Sequence, residues 1–429
     1  MKIIQLIPGA GNTFYCENCL RDNGLAISLR KSGHDVIITP LYLPILTDEA
    51  KAETASPVFF GGINVYLQQK FKFFQKTPRW IDKFFDSNFL LKIAANMAGM
   101  TRSEDLAETT LSMLKGENGR QKKEYLRLEE WLLKQEGIDI IHISNALLSG
   151  FAPRLKQKLQ CAVICTLQDE DIFVNPLPEK YRRLIWNQIK ENSKSIDAFI
   201  AVSHYEKQHM SKLIGINKGK IKVIYNAINL DNIEPAEHFP EIPTIGFLER
   251  QCQPKGLHLL VEAFIELKHR NRVKKLKLKI AGGKTADDNK YLNKLRKLIK
   301  SNGYHQDVEI LPNLSRQEKI QFLQSLSIMS VPAIHKEAFG IYLLESLAAG
   351  VPVVQPSHGS FTEILNITKG GILYKPNTVD ELANALENLL LDKTKAKIMG
   401  SEGRKKVFEE FAVERMARDF ENLISKINN

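Results

Sequence analysis

Residues 333–366, AIHKEAFGIYLLESLAAGVPVVQPSHGSFTEILN, decide the fold. Two carboxylates, Glu337 and Glu345, stand here with Phe339 and Gly340 between them. The apolar run at 328–331 reads as the end of a strand. From Ile341 onward Leu343, Leu344, Leu347 and Ala348 recur at helical spacing. Gly350 and then Pro352 close that helix in the expected order. The next strand is predicted over 351–354. Glu337 therefore sits in a strand-to-helix loop, and Glu345 lies on the second turn of the helix.

A helix N-terminus offers free amide hydrogens and a partial positive charge, which suit a phosphate. The rise from Gly340 to Glu345 is roughly 7 Å, close to the length of a pyrophosphate. Gly340 removes a side chain where backbone must approach an anion. These pieces suggest one ligand held at three points: a sugar near Glu337, a diphosphate at the amides beside Gly340 and Ile341, and ribose hydroxyls at Glu345. Alone, the two acids would read as a helix cap and a solvated helix residue. The flanking strand, glycine and helix favour the ligand.

The stretch resembles the donor-site signature of family 4 (GT4-type) retaining glycosyltransferases, the glycosyl transferases group 1. That resemblance implies an α/β, GT-B fold: two Rossmann-like domains with parallel sheets facing a central cleft. It covers nearly the whole chain and thins between about residues 43 and 135. It implies a hexosyltransferase that moves a sugar from a nucleotide diphosphate sugar to a hydroxyl of a glycan, lipid or small-molecule acceptor. It also implies no metal and no cofactor beyond the donor itself.

Composition agrees with a globular protein of two domains. The chain has 429 residues, long for one core, with 43% hydrophobic and 25% charged residues. No uncharged apolar run reaches membrane-spanning length. The N-terminus, MKIIQLIPGAG, reads as a first buried strand and not a secretory signal. The expected location is the cytoplasm, with peripheral contact at the inner membrane face as an added option. Five cysteines, two of them (Cys161 and Cys165) in strand-like runs, favour thiols over disulfides. Cys16 and Cys19 lack the second pair that a zinc site needs.

The net charge is +11, much of it on 268–279 (KHRNRVKKLKLK) and along 284–300. A solvated face is the default reading, and an anionic membrane is the functional alternative. Nucleic acid is disfavoured because no aromatic platform is interleaved with the cations.

Along the chain, a strand at 3–7 leads into Pro8-Gly9-Ala10-Gly11-Asn12, a helix from about 18 to 32 and a strand at 36–40. This order is Rossmann-like, but a third glycine is missing, which argues against a dinucleotide fingerprint. Gly9 and Gly11 resemble the family's first-domain glycine loop and imply contact with the donor. Residues 55–135 carry Phe71, Phe73, Phe74, Trp80, Phe84, Phe85 and Phe89 among lysines and read as a helical, aromatic insertion packed on the domain, or as an acceptor-binding or membrane-docking surface.

Parallel strands are predicted at 138–144 (IDIIHIS) and 161–167 (CAVICTL). Gln168 follows where many relatives carry a histidine facing the donor sugar. Gln168, Asp169 and Asp171 are sugar or acceptor contact candidates. Residues 223–227 (VIYNA) resemble the end of the family's first domain, with Ala227 in place of the usual glycine.

The expected domains are 1–232 on the acceptor side, a proline-rich linker at 233–243, a nucleotide-sugar-binding domain at 244–408, and a last helix at 409–429 crossing back to the first domain. After the strand at 244–248, Arg250 and Lys255 resemble the family's diphosphate ligands. Such cations stabilise the charge that grows on a departing nucleoside diphosphate. Arg250, Lys255 and Glu337 are thus the catalytic candidates. Gly9, Gly11, Arg250, Lys255, Phe339, Gly340, Ile341 and Glu345 are the donor-binding candidates. A non-catalytic nucleotide-sugar-binding subunit and a nucleotide-sugar epimerase of the same fold remain as alternatives.

Overall fold

The computed structural model describes residues 1–9, 17–43 and 103–428. Gly11, Cys16 and the aromatic-basic run at 71–89 lie outside the described residues. The chain forms two compact units, one of 1–12, 18–225 and 417–429, the other of 13–17 and 226–416.

In the first unit six parallel strands lie in the order β2-β1-β3-β4-β5-β6. They are β1 Lys2–Ile7, β2 Asp35–Pro40, β3 Ile138–Ile143, β4 Ala162–Leu167, β5 Ala198–Ala201 and β6 Ile221–Val223. Their short apolar runs suit strands covered on both faces. Ile4 pairs with Ile37 on one side and Ile141 on the other, and all six strands contribute to the buried interior. The helices are α1 Glu17–Lys31, α2 Ser103–Leu114, α3 Lys122–Leu133, α4 Ala152–Leu159, α5 Glu170–Val174, α6 Glu179–Asn192 and α7 His204–Met210. The described part of the 55–135 insertion is thus helical.

The second unit repeats the plan, with strand order β12-β11-β10-β7-β8-β9. Its strands are β7 Thr244–Leu248, β8 Lys277–Ala281, β9 Val308–Leu311, β10 Ile328–Met329, β11 Val353–Pro356 and β12 Gly371–Tyr374. Its helices are α8 Leu257–Arg270, α9 Asn289–Ser301, α10 Arg316–Gln324, α11 Ile341–Ala348, α12 Phe361–Thr368, α13 Val379–Leu391 and α14 Lys393–Glu410. The last helix, α15 Val413–Asn428, begins in this unit and from Ala417 onward belongs to the first. Side-chain caps fix several starts: Ser315 forms a capping box with Glu318, and Thr378 accepts from the Glu381 amide.

Three local expectations need correction. The strand predicted from 351 begins at Val353 because the Val351 amide closes α11, donating to the Ser346 carbonyl at 3.0 Å. The strand predicted over 328–331 is only Ile328–Met329, since the Val331 amide turns to the Gln355 side chain at 3.1 Å. Residues 358–363 (HGSFTE) read as a loop in the sequence, but Phe361 opens α12, which buries Phe361, Ile364 and Leu365.

The strand order places the site. Chain growth runs outward from β7 through β8 to β9, then returns to the other side of β7 at β10. Loops leaving β7 and β10 therefore diverge at the carboxyl edge, the crevice where such sheets bind ligands.

Candidate functional site

Glu249 to Gly256 follows β7, and Ala333 to Gly340 follows β10. The two loops are joined through backbone. The Ile334 amide donates to the Pro254 carbonyl at 2.9 Å. Gly256 has φ +72°, and a Cβ there would sit 1.9 Å from the Pro332 carbonyl oxygen. No L side chain fits that position.

This joint brings distant charges together. Lys255 Nζ lies 2.7 Å from Glu337 Oε1 and 3.6 Å from Glu249 Oε1. Glu337 is buried, while the Lys255 and Glu249 side chains keep 18% and 16% exposure, enough to meet a ligand. The other oxygen of Glu337, Oε2, accepts from the Tyr342 hydroxyl at 3.2 Å. His335 Nε2 is 3.5 Å from Oε1.

Burial alone would lower the Lys255 ammonium, but the Glu249 and Glu337 carboxylates outweigh it and hold the group well above its usual range. Burial pushes the Glu249 carboxyl up, against the pull of Lys255 and with the help of Glu337. Lys255 is thus a permanent cation.

The loop around Glu337 is braced on several sides. The Ala333 carbonyl accepts from Asn377 Nδ2 at 2.9 Å and contacts His358 Nε2 at 3.1 Å. The Ser360 amide donates to the Glu337 carbonyl at 3.1 Å, and Ser360 Oγ donates to the Phe339 carbonyl at 2.8 Å. Phe339 is fully buried and packs edge-on against Phe411, with ring centroids 6.1 Å apart.

Gly340, at φ +93°, turns the chain into α11. The Ile341 amide donates to Glu17 Oε1 at 3.0 Å, so a carboxylate already occupies the helix N-terminus predicted to hold an anion. Glu345 lies on the second turn as predicted, and its carboxylate is ion-paired to the buried Lys319 of α10. Arg250 turns aside. Its guanidinium lies 3.2 Å from Asp288 Oδ2 and donates to Thr285 Oγ1 at 3.0 Å.

The structure therefore brings Lys255 and Glu337 into contact and sets Arg250 and Glu345 in separate ion pairs. Sequence reading gave Glu249 no role. It missed Tyr342, His335, Lys319 and Asp288. A buried lysine and a tyrosine on an apolar helix carry no local signal, and only the tertiary contacts reveal them.

The first-unit candidates lie at the carboxyl ends of β1 and β4. Gly9 has φ +77°. Gln168 is buried, and its Oε1 accepts from Arg21 Nη1 at 2.7 Å. Arg21 also pairs with Asp22 and donates to the Ser144 carbonyl at 2.8 Å. Asp169 sits in the left-handed region at φ +58°, and its amide donates to Glu206 Oε1 at 3.3 Å. Asp171 pairs with His209 at 3.0 Å. Burial pushes the Glu170 carboxyl up to about 7 while its two oxygens accept the amides of Ala146 and Gln168. Among the described residues no group of three or more His, Cys, Asp or Glu is arranged to hold a metal ion, and the described cysteines are free thiols.

Residues 231–406 match the family model for glycosyl transferases group 1, and residues 110–232 match that for Glycosyltransferase Family 4. The chain belongs to the family 4 glycosyltransferases. It is a glycosyltransferase with the GT-B fold.

Among its relatives is the uncharacterized glycosyltransferase MJ1178 of Methanocaldococcus jannaschii, 26% identical over 277 residues, 64% of this chain and 71% of that protein. Another is the GDP-mannose-dependent alpha-(1-6)-phosphatidylinositol monomannoside mannosyltransferase of Mycobacterium tuberculosis, 26% identical over 290 residues, 64% of this chain and 72% of the relative.

Similar solved structures include sucrose-phosphate synthase from Thermosynechococcus elongatus, with TM-score 0.72, 17% identity, and 99% and 98% of the two chains covered. Anabaena HepE in complex with UDP and glucose gives TM-score 0.68 at 16% identity, with 99% and 100% covered. At these identities the structural likeness speaks for the fold of the family 4 enzyme.

Proposed function

We propose that this family 4 enzyme is a retaining glycosyltransferase that moves a sugar from a nucleoside diphosphate sugar to a hydroxyl of a glycan, lipid or small-molecule acceptor. The Lys255–Glu337 contact at the carboxyl ends of β7 and β10 carries the reading. It sets a permanent cation against a buried carboxylate at the edge where such sheets bind nucleotides. Relatives named for GDP-mannose and a HepE structure holding UDP-glucose support the donor class.

In this reading Glu337 contacts the sugar hydroxyls and Glu345 the ribose. Lys255, Arg250 and the amides after Phe339, at Gly340 and Ile341, hold the diphosphate. Gly9 and Gly11 are further donor contacts, and Gln168, Asp169 and Asp171 contact the sugar or the acceptor. No metal ion and no cofactor takes part. The acceptor oxygen bonds to the anomeric carbon as the bond to the diphosphate breaks, on the same face. The departing phosphate oxygen takes the acceptor's proton. Cations at the diphosphate stabilise the charge that develops there.

We propose the cytoplasm as its location, with peripheral attachment to an anionic membrane. Among the described residues no helix is long and apolar enough to cross a membrane. The exposed face of α9 presents Lys290, Lys294, Arg296, Lys297 and Lys300, while Leu292, Leu295 and Ile299 face inward. Such a face suits an anionic lipid surface.

The deciding experiment incubates purified full-length protein with UDP- and GDP-sugars, with and without a lipid and glycan extract. Release of UDP or GDP, or sugar transfer with retained anomeric configuration, supports the enzyme. Nucleotide binding without turnover in either condition supports a donor-binding subunit instead.

A further inference from the structure

Glu337 is held at both carboxylate oxygens by different segments. Lys255 reaches Oε1 from the loop after β7, and Tyr342 reaches Oε2 from the first turn of α11. A carboxylate gripped at one oxygen still turns about its terminal bond. A second donor fixes its plane, and with it the directions of the lone pairs left for a ligand.

The path of the Tyr342 ring shows how the chain accommodates it. Tyr342 is 2% exposed. A Cβ on Gly340 would lie 3.2 Å from its Cζ and 3.3 Å from its hydroxyl oxygen, so the phenol runs beneath the bare glycine backbone. Lys255 Nζ stands 5.9 Å from the centre of the same ring. Burial, and the nearby Glu337 and Glu249 carboxylates, push the phenol well above its usual value. It therefore donates at every working pH.

We infer that Tyr342 is a positioning residue that fixes the plane of the Glu337 carboxylate for the donor sugar. The inference rests on the reading of Glu337 as the sugar contact. Tyr342 touches neither the sugar nor the diphosphate in this scheme, and its effect passes through Glu337 alone. Its loss should affect the sugar step and spare the grip on the nucleoside diphosphate.

The test compares Tyr342→Phe, Glu337→Gln and the double variant in the full-length protein. Tyr342→Phe keeps the ring and removes one hydrogen bond to a charged group. It should lower kcat for donor turnover by about ten- to a hundredfold. The Kd for UDP or GDP should stay within about twofold of the parent, a split that a packing role would not give. The double variant should be no slower than Glu337→Gln, because both changes act on one group.

A normal kcat for Tyr342→Phe beside a slow Glu337→Gln overturns this inference and leaves the proposed function standing. Normal rates in Glu337→Gln overturn both. Equal losses in turnover and nucleotide binding assign Tyr342 to packing and overturn the inference. A crystal structure of Tyr342→Phe gives a readout that needs no substrate. The Glu337 carboxylate should turn away from its parent plane, and an unmoved carboxylate overturns the inference.

Discussion

Lys255 Nζ and Glu337 Oε1 are 2.7 Å apart across 82 residues of chain. The contact exists because the strand order returns β10 to the side of β7. Glu337→Gln keeps the shape of the side chain and removes its charge. Lys255→Ala removes the cation and leaves Glu337 and Glu249 facing one another. Each should lower turnover of the nucleotide sugar by about tenfold or more, as loss of a preorganised charge does. Steady-state kinetics checks the rate, and circular dichroism checks that the fold persists. Near-parental rates in both would contradict the assignment.

Gly256 should tolerate no side chain. Gly256→Ala drives a methyl group into the Pro332 carbonyl at a backbone angle that L residues avoid. The melting temperature should fall by at least roughly 4 °C. Donor turnover should fall with it, since the same joint sets Lys255 beside Glu337. Differential scanning fluorimetry decides the first point, and an unchanged melting temperature would refute it.

His142 should make the protein acid-sensitive. It is 1% exposed, bonds Thr166 through Nε2 at 2.8 Å and lies edge-on to Phe420. Burial, helped by Arg21, pulls its pKa down to about 3 from 6.5. The unfolded chain therefore binds a proton that the folded chain refuses. Stability from this group is complete above about pH 6.5 and drains as the pH falls toward 3, at up to about 1.4 kcal/mol per pH unit. Urea unfolding of the parent and His142→Gln between pH 6.5 and 4.5 should show a shallower pH slope in the variant. Parallel slopes would mean that His142 titrates normally.

The cationic face of α9 is open to a charge-reversal test. The combined change Lys290→Glu, Lys294→Glu and Lys297→Glu should abolish co-sedimentation with vesicles rich in phosphatidylglycerol. It should leave UDP or GDP affinity as it was, because α9 supplies no proposed donor ligand. Binding of the parent should weaken with added salt. Equal sedimentation of parent and variant would remove this face from the account.

Much of the fold was legible in the sequence because parallel strands buried on both faces leave short unbroken apolar runs. The sequence reads 379–391 as a helix, and α13 spans those same residues, its start capped by Thr378. α12 escaped because Gly359 and Ser360 look like the continuation of a turn. Their conformation is set by packing on the Glu337 loop, which no local pattern reports.

The site was legible in part. Glu337 and Glu345 announce themselves by their places around Gly340, and Lys255 by its resemblance to the family's diphosphate ligands, so their positions on loop and helix could be read. Their partners could not. Lys319 and Tyr342 sit on helices whose pattern fits ordinary amphipathic or apolar packing, and their contacts appear only once α10, α11 and β10 are assembled. Gln168 was read as a sugar contact from the position it takes in the family. The folded chain gives its carbonyl oxygen a partner in Arg21, 147 residues away in sequence.

The two cations of the second-unit site already have anions to answer. Lys255 faces Glu337 and Glu249, and Arg250 faces Asp288. In the proposed donor site, an incoming diphosphate would swap one negative neighbour for another instead of filling an electrical vacancy. Its grip is a difference between two near-matched attractions. Spent nucleotide should then depart readily, as its former rivals reclaim the lysine and the arginine behind it.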